Sequence, residues 1–199
     1  GNGSVMDKLN SEARCISVII VNWNGKDLLA EALAALRGQT FRDFEIIVVD
    51  NGSTDGSPQF VASAFPEVRL IGVAENLGFA RGSNLGIRAA CGEFIALLNN
   101  DAVPDSRWLE ELVGTARRHP EVGFCASKVI LYSEPHLLDS AGDGIAASGT
   151  VFRRGHRENE LEYSKEEYVF GAPGCAAFYR RALLDDIGLF DEDFWIVYE

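Results

Sequence analysis

The chain has 199 residues, 47% of them hydrophobic and 10% aromatic, with a formal net charge of −12. That is enough apolar material for one sizeable core, too little for two ordinary domains, and too much for a disordered chain. The acidic balance excludes general nucleic-acid binding, which needs clustered Lys and Arg against phosphates, so no nucleic acid is expected as a partner.

Residues 1–15 read as a tail, disordered or left from expression, because Gly1 to Arg14 is polar and lacks the apolar region of a signal peptide. Residues 16–199 read as a single domain. Ile16 to Val21 is a short β-branched run, predicting a buried strand that ends in Asn22. Asp27 to Arg37 carries Leu28, Leu29, Ala32, Leu33 and Leu36 on one helical face, and Gly38 closes it. Phe44 to Val49 predicts the second strand, with Asp50 at its end. Turn chemistry follows in Asn51-Gly52-Ser53-Thr54-Asp55-Gly56, and Ser57 and Pro58 open a helix as N-cap and first helical residue.

Val68 to Val73 predicts the third strand, Phe79 to Cys91 a helix, and Glu93 to Leu98 the fourth strand, ending at Asn99-Asn100-Asp101. Pro104 to His119 predicts a helix with Trp108, Leu109, Leu112 and Val113 on one face, and Val122 to Ile130 the fifth strand. Tyr132 to Tyr168 has no sustained period and reads as loops with one irregular hairpin. Phe170 to Arg180 predicts a strand rejoining the sheet, and Arg181 to Ile187 a short helix. Apolar strands alternating with helices give the fold class: α/β, a mostly parallel sheet with helices on both faces.

No apolar run is long enough to span a bilayer, so a cytoplasmic chain is expected, with peripheral membrane association left open. Cys15, Cys91, Cys125 and Cys175 form no C-x-x-C pair and read as buried, reduced thiols.

In an open α/β sheet, ligands bind beyond the carboxyl ends of the strands. Here those ends carry Asn22-Trp23-Asn24-Gly25, Asp50 to Ser57, and Asn99-Asn100-Asp101. Neither G-x-G-x-x-G after the first strand nor G-x-x-x-x-G-K-[ST] occurs, which weakens dehydrogenase and P-loop readings. Three segments extend this pattern: Asn76-Leu77-Gly78-Phe79-Ala80 with Asn84-Leu85-Gly86, Gly171-Ala172-Pro173-Gly174-Cys175, and Gly188-Leu189-Phe190-Asp191-Glu192 ahead of Tyr198-Glu199. In this order and spacing the sequence resembles the family 2 glycosyltransferases of GT-A fold over nearly its whole length. The Asn-Trp-Asn-Gly and Leu-Asn-Asn-Asp forms resemble the rhamnosyltransferase-like branch.

The resemblance implies an inverting, metal-assisted transfer of a sugar, rhamnose being a candidate. The donor would be a UDP- or dTDP-linked sugar and the acceptor a glycan or lipid-linked hydroxyl. It implies nucleotide binding by Asn22, Trp23, Asn24, Asp50, Asp55, Arg81, Asn84, Asn99 and Asn100. Asp50 would accept from a pyrimidine N–H, or else cap the Asn51-Gly52 turn. Trp23 is alternatively core packing, Asp55 a turn residue and Arg81 a solvent-facing helix residue. Asp101 would hold a divalent cation, Mn²⁺ or Mg²⁺, against the diphosphate, or else belong to a helix-capping loop. The family's Asp-x-Asp is here Asn99-Asn100-Asp101, with one carboxylate.

Gly171, Gly174 and Trp195 are the expected sugar- or acceptor-side residues, with a strand-end bulge and packing as their rivals. The catalytic residue would be Glu199, matching the first half of the family's Glu-Asp pair. The sequence stops there, which predicts a chain that binds donor but transfers sugar poorly. Two other readings stand beside this one: a non-catalytic nucleotide-sugar-binding module, and a sugar-phosphate nucleotidyltransferase. The latter needs a glycine-rich basic loop that Asn22-Trp23-Asn24-Gly25-Lys26 does not supply.

Overall fold

The computed structural model describes residues 14–194. The strands are β1 (Ile16–Asn22), β2 (Phe44–Asp50), β3 (Arg69–Gly72), β4 (Phe94–Leu98) and β5 (Phe124–Ala126), followed by β6 (Val129–Ile130), β7 (Leu138–Ser140), β8 (Asp143–Ile145), β9 (Val151–Arg153) and β10 (Ala176–Arg180). The α-helices are α1 (Lys26–Arg37), α2 (Ser57–Ala64), α3 (Gly78–Ala89), α4 (Trp108–Arg118) and α5 (Arg181–Ile187).

Six strands form the central sheet in the order β3-β2-β1-β4-β10-β5. The first four are mutually parallel, and β10 runs antiparallel to both β4 and β5. Alternation along β1 divides the core in two. Ile16, Val18 and Ile20 join Leu29, Leu33, Leu109 and Leu112 of α1 and α4, whereas Ile19 packs on the other face with Ile87 of α3 and Leu184 of α5. Both faces of the central strands β1, β2 and β4 are buried, so these strands are largely apolar.

Helix α3 lies close on β1 because its inward stripe is glycine. A Cβ at Gly82 would meet Val21 at 2.8 Å, and one at Gly86 would run into Ile19. That close seat lets the helix start beside the carboxyl end of β2.

Several boundaries differ from expectation for local reasons. Leu28, predicted to face the core, is 49% exposed, because only Leu29, Ala32, Leu33 and Leu36 turn inward. The N-cap of α2 is Gly56, not Ser57: Gly56 has φ 83°, left-handed, which carries Ser57 into the helix. Asp55 takes over the capping, accepting from the backbone N–H of Ser57 at 3.0 Å and from its hydroxyl. The predicted fifth strand breaks at Ser127-Lys128, where Lys128 reaches Glu160 at 2.5 Å. Beyond that break β6 leaves the sheet and pairs with β7.

Of the Phe170–Arg180 run, only β10 is strand in the main sheet; Gly171 instead bridges Asp143 of β8. The irregular hairpin is β8–β9. Cys15, placed in the tail by sequence, is buried at the mouth of β1, and its carbonyl accepts from Phe94 N–H at 3.0 Å. Expected burial fails at Cys91, which is exposed in the turn after α3, and Cys125 and Cys175 are only partly covered. Burial still pushes the Cys175 thiol up to about 11, so it stays protonated and inert near neutral pH. Among the described residues no helix is long and apolar enough to cross a membrane.

Candidate functional site

Parallel register sets the ends of β1 and β2 side by side, Asn22 opposite Asp50. From that pair a hydrogen-bond chain runs along the sheet edge. The fully buried Asn22 donates through Nδ2 to Asp50 Oδ2 at 3.2 Å and to Ser53 Oγ at 3.3 Å. Its Oδ1 accepts from Asn100 Nδ2 at 2.9 Å. One amide therefore ties together the ends of β1, β2 and β4.

Asp50 is 3% exposed, and its Oδ1 accepts from the Ser53 backbone N–H at 2.9 Å. This is the turn-capping arrangement that stood as the rival to base binding. A carboxylate has about four lone-pair sites, so two bonds leave it acceptor capacity. Asn24, at φ 51°, accepts through Oδ1 from Thr54 N–H at 2.8 Å, while its own N–H donates to Ser53 Oγ at 2.9 Å. The loops after β1 and β2 are thereby stapled into one shelf. Asp55 adds a second staple, accepting from Lys26 N–H at 2.9 Å, so both its oxygens serve the turn. Trp23 is 56% exposed on this shelf, which overturns core packing as its role.

Asn51, missed by the sequence reading, is buried beneath the shelf. Its Nδ2 donates to Gly78 O at 3.0 Å and Asn76 Oδ1 at 3.3 Å, fixing the start of α3 to the end of β2. A buried Asn in a turn motif gives no signal of partners 25 and 27 positions away.

After β4, Asn99 is half-buried, and its backbone N–H donates to Cys175 O at 2.9 Å. Asp101 is exposed, and its carboxylate takes part in no hydrogen bond or ion pair among the described residues. Those residues hold no group of three or more His, Cys, Asp or Glu suited to a metal ion. Asp101 is a hard, unengaged oxygen donor beside the neutral amide of Asn99, which suits part of the coordination shell of Mg²⁺ or Mn²⁺.

The Gly171–Cys175 loop reaches the same region through the Cys175–Asn99 bond. A Cβ on Gly174 would lie 3.2 Å from the Phe79 ring. Two further residues are drawn elsewhere. Asn84 is buried in α3 and bonds the Phe190–Glu192 segment, and Arg81 stands 3.7 Å from Glu192. Trp195 and Glu199 lie outside the described residues.

Gly25 sits against this network. A Cβ there would press well inside contact with Asn100 Nδ2 and reach 3.0 Å from Asn22 Oδ1. Gly25→Ala is therefore expected to displace the Asn100 amide from Asn22 while lowering stability by only about 1 kcal/mol. NMR of the side-chain amides and a thermal melt on the one variant read both.

The sequence matches the model of the family described as "Glycosyl transferase family 2" over residues 17–188. It is 28% identical over 206 residues to an uncharacterized glycosyltransferase of Haemophilus influenzae, covering 85% of this chain and 64% of that one. It is also 28% identical to the N-acetylglucosaminyl-diphospho-decaprenol L-rhamnosyltransferase of Mycobacterium tuberculosis, covering 92% of this chain and 67% of that one. The chain thus spans about two thirds of the length of these relatives. Among solved structures, S. aureus TarS 1-349 in complex with UDP superposes with a TM-score of 0.67 at 20% identity, covering 92% of this chain and 52% of that one. The mannosyltransferase PcManGT of Pyrobaculum calidifontis, in complex with GDP-Man and Mn²⁺, does so at 0.65 and 24%, covering 92% and 49%. The fold is that of the GT-A glycosyltransferases, and the chain belongs to glycosyl transferase family 2.

Proposed function

We propose that this chain carries the donor site of an inverting glycosyltransferase that moves a sugar from a nucleoside-diphosphate-sugar to a hydroxyl of a glycan or lipid-linked acceptor. The observation that carries the reading is the convergence of Asn22, Asp50, Ser53 and Asn99-Asn100-Asp101 at the carboxyl ends of three adjacent parallel strands. Rhamnose is the candidate sugar, on the likeness to the mycobacterial rhamnosyltransferase. Peripheral contact with a membrane holding a lipid-linked acceptor fits the diphospho-decaprenol in that relative's name, and work at the cytoplasmic side is part of the same proposal.

The residues divide the work by chemistry. Asp50 has acceptor capacity left for a base N–H, the role proposed for it toward the N3–H of uracil or thymine. Trp23 offers an exposed ring to the shelf, and Asn99 an amide for a ribose hydroxyl. Asp101, with the Asn99 oxygen, would hold Mn²⁺ or Mg²⁺, and the donor's phosphate oxygens would complete the shell. When bound, the cation neutralises charge on the departing diphosphate. Inversion requires the acceptor hydroxyl to attack the anomeric carbon opposite that diphosphate, with a base taking its proton. Glu199 is the candidate for that base, and Gly171 and Gly174 allow a sugar close to the backbone.

Titrating UDP, dTDP and GDP by calorimetry, with and without Mn²⁺ or Mg²⁺, tests the reading. A pyrimidine diphosphate is expected to bind about tenfold more tightly with the metal, a gain of about 1.4 kcal/mol. Asp101→Ala should remove that gain and leave metal-free binding in place. Absence of binding by every nucleotide would overturn the reading.

A further inference from the structure

The outer flank of α3 holds the chain segment Gly188–Glu192 in three ways. Asn84, 1% exposed, grips its backbone: Nδ2 donates to Phe190 O at 2.8 Å, and Oδ1 accepts from Phe190 N–H at 3.1 Å. The same Nδ2 donates to Glu192 Oε1 at 3.0 Å. Arg88 and Arg81 meet that carboxylate at 3.2 and 3.7 Å. Positions 81, 84 and 88 fall on one stripe of the helix. Finally, the Phe190 ring packs edge-on between Phe79 and Tyr179, with centroids 6.3 and 6.1 Å away.

The grip leads back to the site. Phe79 lies in the first turn of α3 and abuts Gly174, and that loop bonds Asn99 through Cys175. The order of contact is Asn84, Phe190, Phe79, Gly174, then the strand end that carries Asp101. Asn84 has neither amide atom free for a nucleotide, since displacing the segment would leave both buried and unpaired.

We propose that Asn84 is a positioning residue of the transfer reaction, setting the sugar- and acceptor-side wall at Gly174 through the Phe190–Phe79 contact. The role rests on the glycosyltransferase reading above. It separates Asn84, whose bonds go to Phe190 and Glu192, from donor binding, which the first residue of α3 supports through Asn51.

The test compares wild type with Asn84→Ala and with the milder surface variants Arg88→Ala and Glu192→Gln. Three quantities are read in the full-length protein: UDP and dTDP affinity with Mn²⁺, hydrogen exchange of the 188–194 peptide, and sugar release from a UDP- or dTDP-sugar, as kcat and donor KM. Asn84→Ala should speed exchange in that peptide by roughly tenfold or more. It should lower kcat by about tenfold with donor KM and nucleotide affinity nearly unchanged. Arg88→Ala and Glu192→Gln should move the same quantities in the same direction by less, which carries the test if Asn84→Ala fails to fold. Loss of nucleotide affinity in step with kcat would overturn the proposal and make Asn84 a donor-binding residue. Faster exchange with unchanged kcat would overturn it too, leaving only a structural clamp. If wild type binds no nucleotide, the transferase reading falls, and the positioning role with it. The exchange data would still report the clamp.

Discussion

Asn22→Ala is expected to lower stability by about 3 kcal/mol and to weaken nucleotide binding by at least roughly tenfold. The alanine removes the amide that bonds Asp50, Ser53 and Asn100 at once. Asp50, a carboxylate at 3% exposure, loses one of its two hydrogen bonds at a cost of about 1–3 kcal/mol, and the half-buried Ser53 and Asn100 each lose one as well. Water entering the gap would soften the stability loss but not restore the geometry that aims Asp50. Asn22→Asp sharpens the comparison. It sets a second carboxylate against Asp50; the two repel while both are ionised at neutral pH, and the repulsion raises the pH at which the pair takes up one proton. Its binding should therefore be weaker than that of Asn22→Ala at neutral pH and recover as pH falls toward 5, whereas Asn22→Ala shows no such recovery. Calorimetry at three pH values reads the contrast; equal affinity for all three proteins would mean the chain of amides does not shape the pocket.

The second large effect is at the opposite end of the sheet. Gly92→Ala is expected to cost about 3 kcal/mol, the upper part of the range for overpacking. The added Cβ would lie 2.5 Å from Ser17 N, 2.7 Å from Ile16 C and 2.9 Å from Phe94 O. These are backbone atoms of paired strands and cannot swing aside. Gly92 N–H also donates to Ser17 Oγ at 2.9 Å, which in turn donates to Glu45 at 2.6 Å. For a chain of this size that loss lowers Tm by roughly 6–12 °C. Nucleotide affinity should hold in whatever fraction stays folded. A melt within 2 °C or so of wild type would show that the strands part more easily than their pairing suggests.

A pH dependence follows from the α3 clamp. Hydrogen bonds from Asn84 and then Arg88 hold the Glu192 carboxyl below the usual glutamate range. A depressed folded-state pKa means the contribution is complete above the unfolded value, near 4.3, and is lost as pH falls through the lower folded value. Protection of the 188–194 peptide should thus stay flat from neutral pH to about 5 and drop only below about 4. Loss of protection already near pH 6 would point to a different group.

The sheet was legible because β-branched runs buried on both faces leave a plain mark. Ile16 to Val21 and Phe44 to Val49 read correctly to within a residue. Polar residues placed directly after such runs also marked the site edge, since a parallel sheet has one carboxyl end. What sequence could not show was the use to which each side chain is put. Asn22 and Asn24 looked alike, yet one is a buried junction and the other an exposed staple. Asn84 was assigned to the nucleotide, and the structure shows partners 106 and 108 positions away that the assignment did not include. Local spacing carries no trace of such pairing. The fifth strand was overextended for a similar reason: at the Ser127-Lys128 break Lys128 pairs with Glu160, 32 positions away in a short 3₁₀ helix.

The insertion of β10 between β4 and β5 has a consequence for biosynthesis. Strands β1 to β4 can pair as they leave the ribosome, each beside a neighbour already made or made next. By contrast, among the described residues β5 borders only β10 in the sheet, and some fifty residues separate the two. Its edge must wait unpaired through translation of the intervening loops, several seconds at about 5–20 residues per second. In that interval an open strand edge is a template for wrong partners. The nascent chain is therefore most exposed to aggregation, and most in need of chaperone cover, between the emergence of Phe124 and that of Arg180.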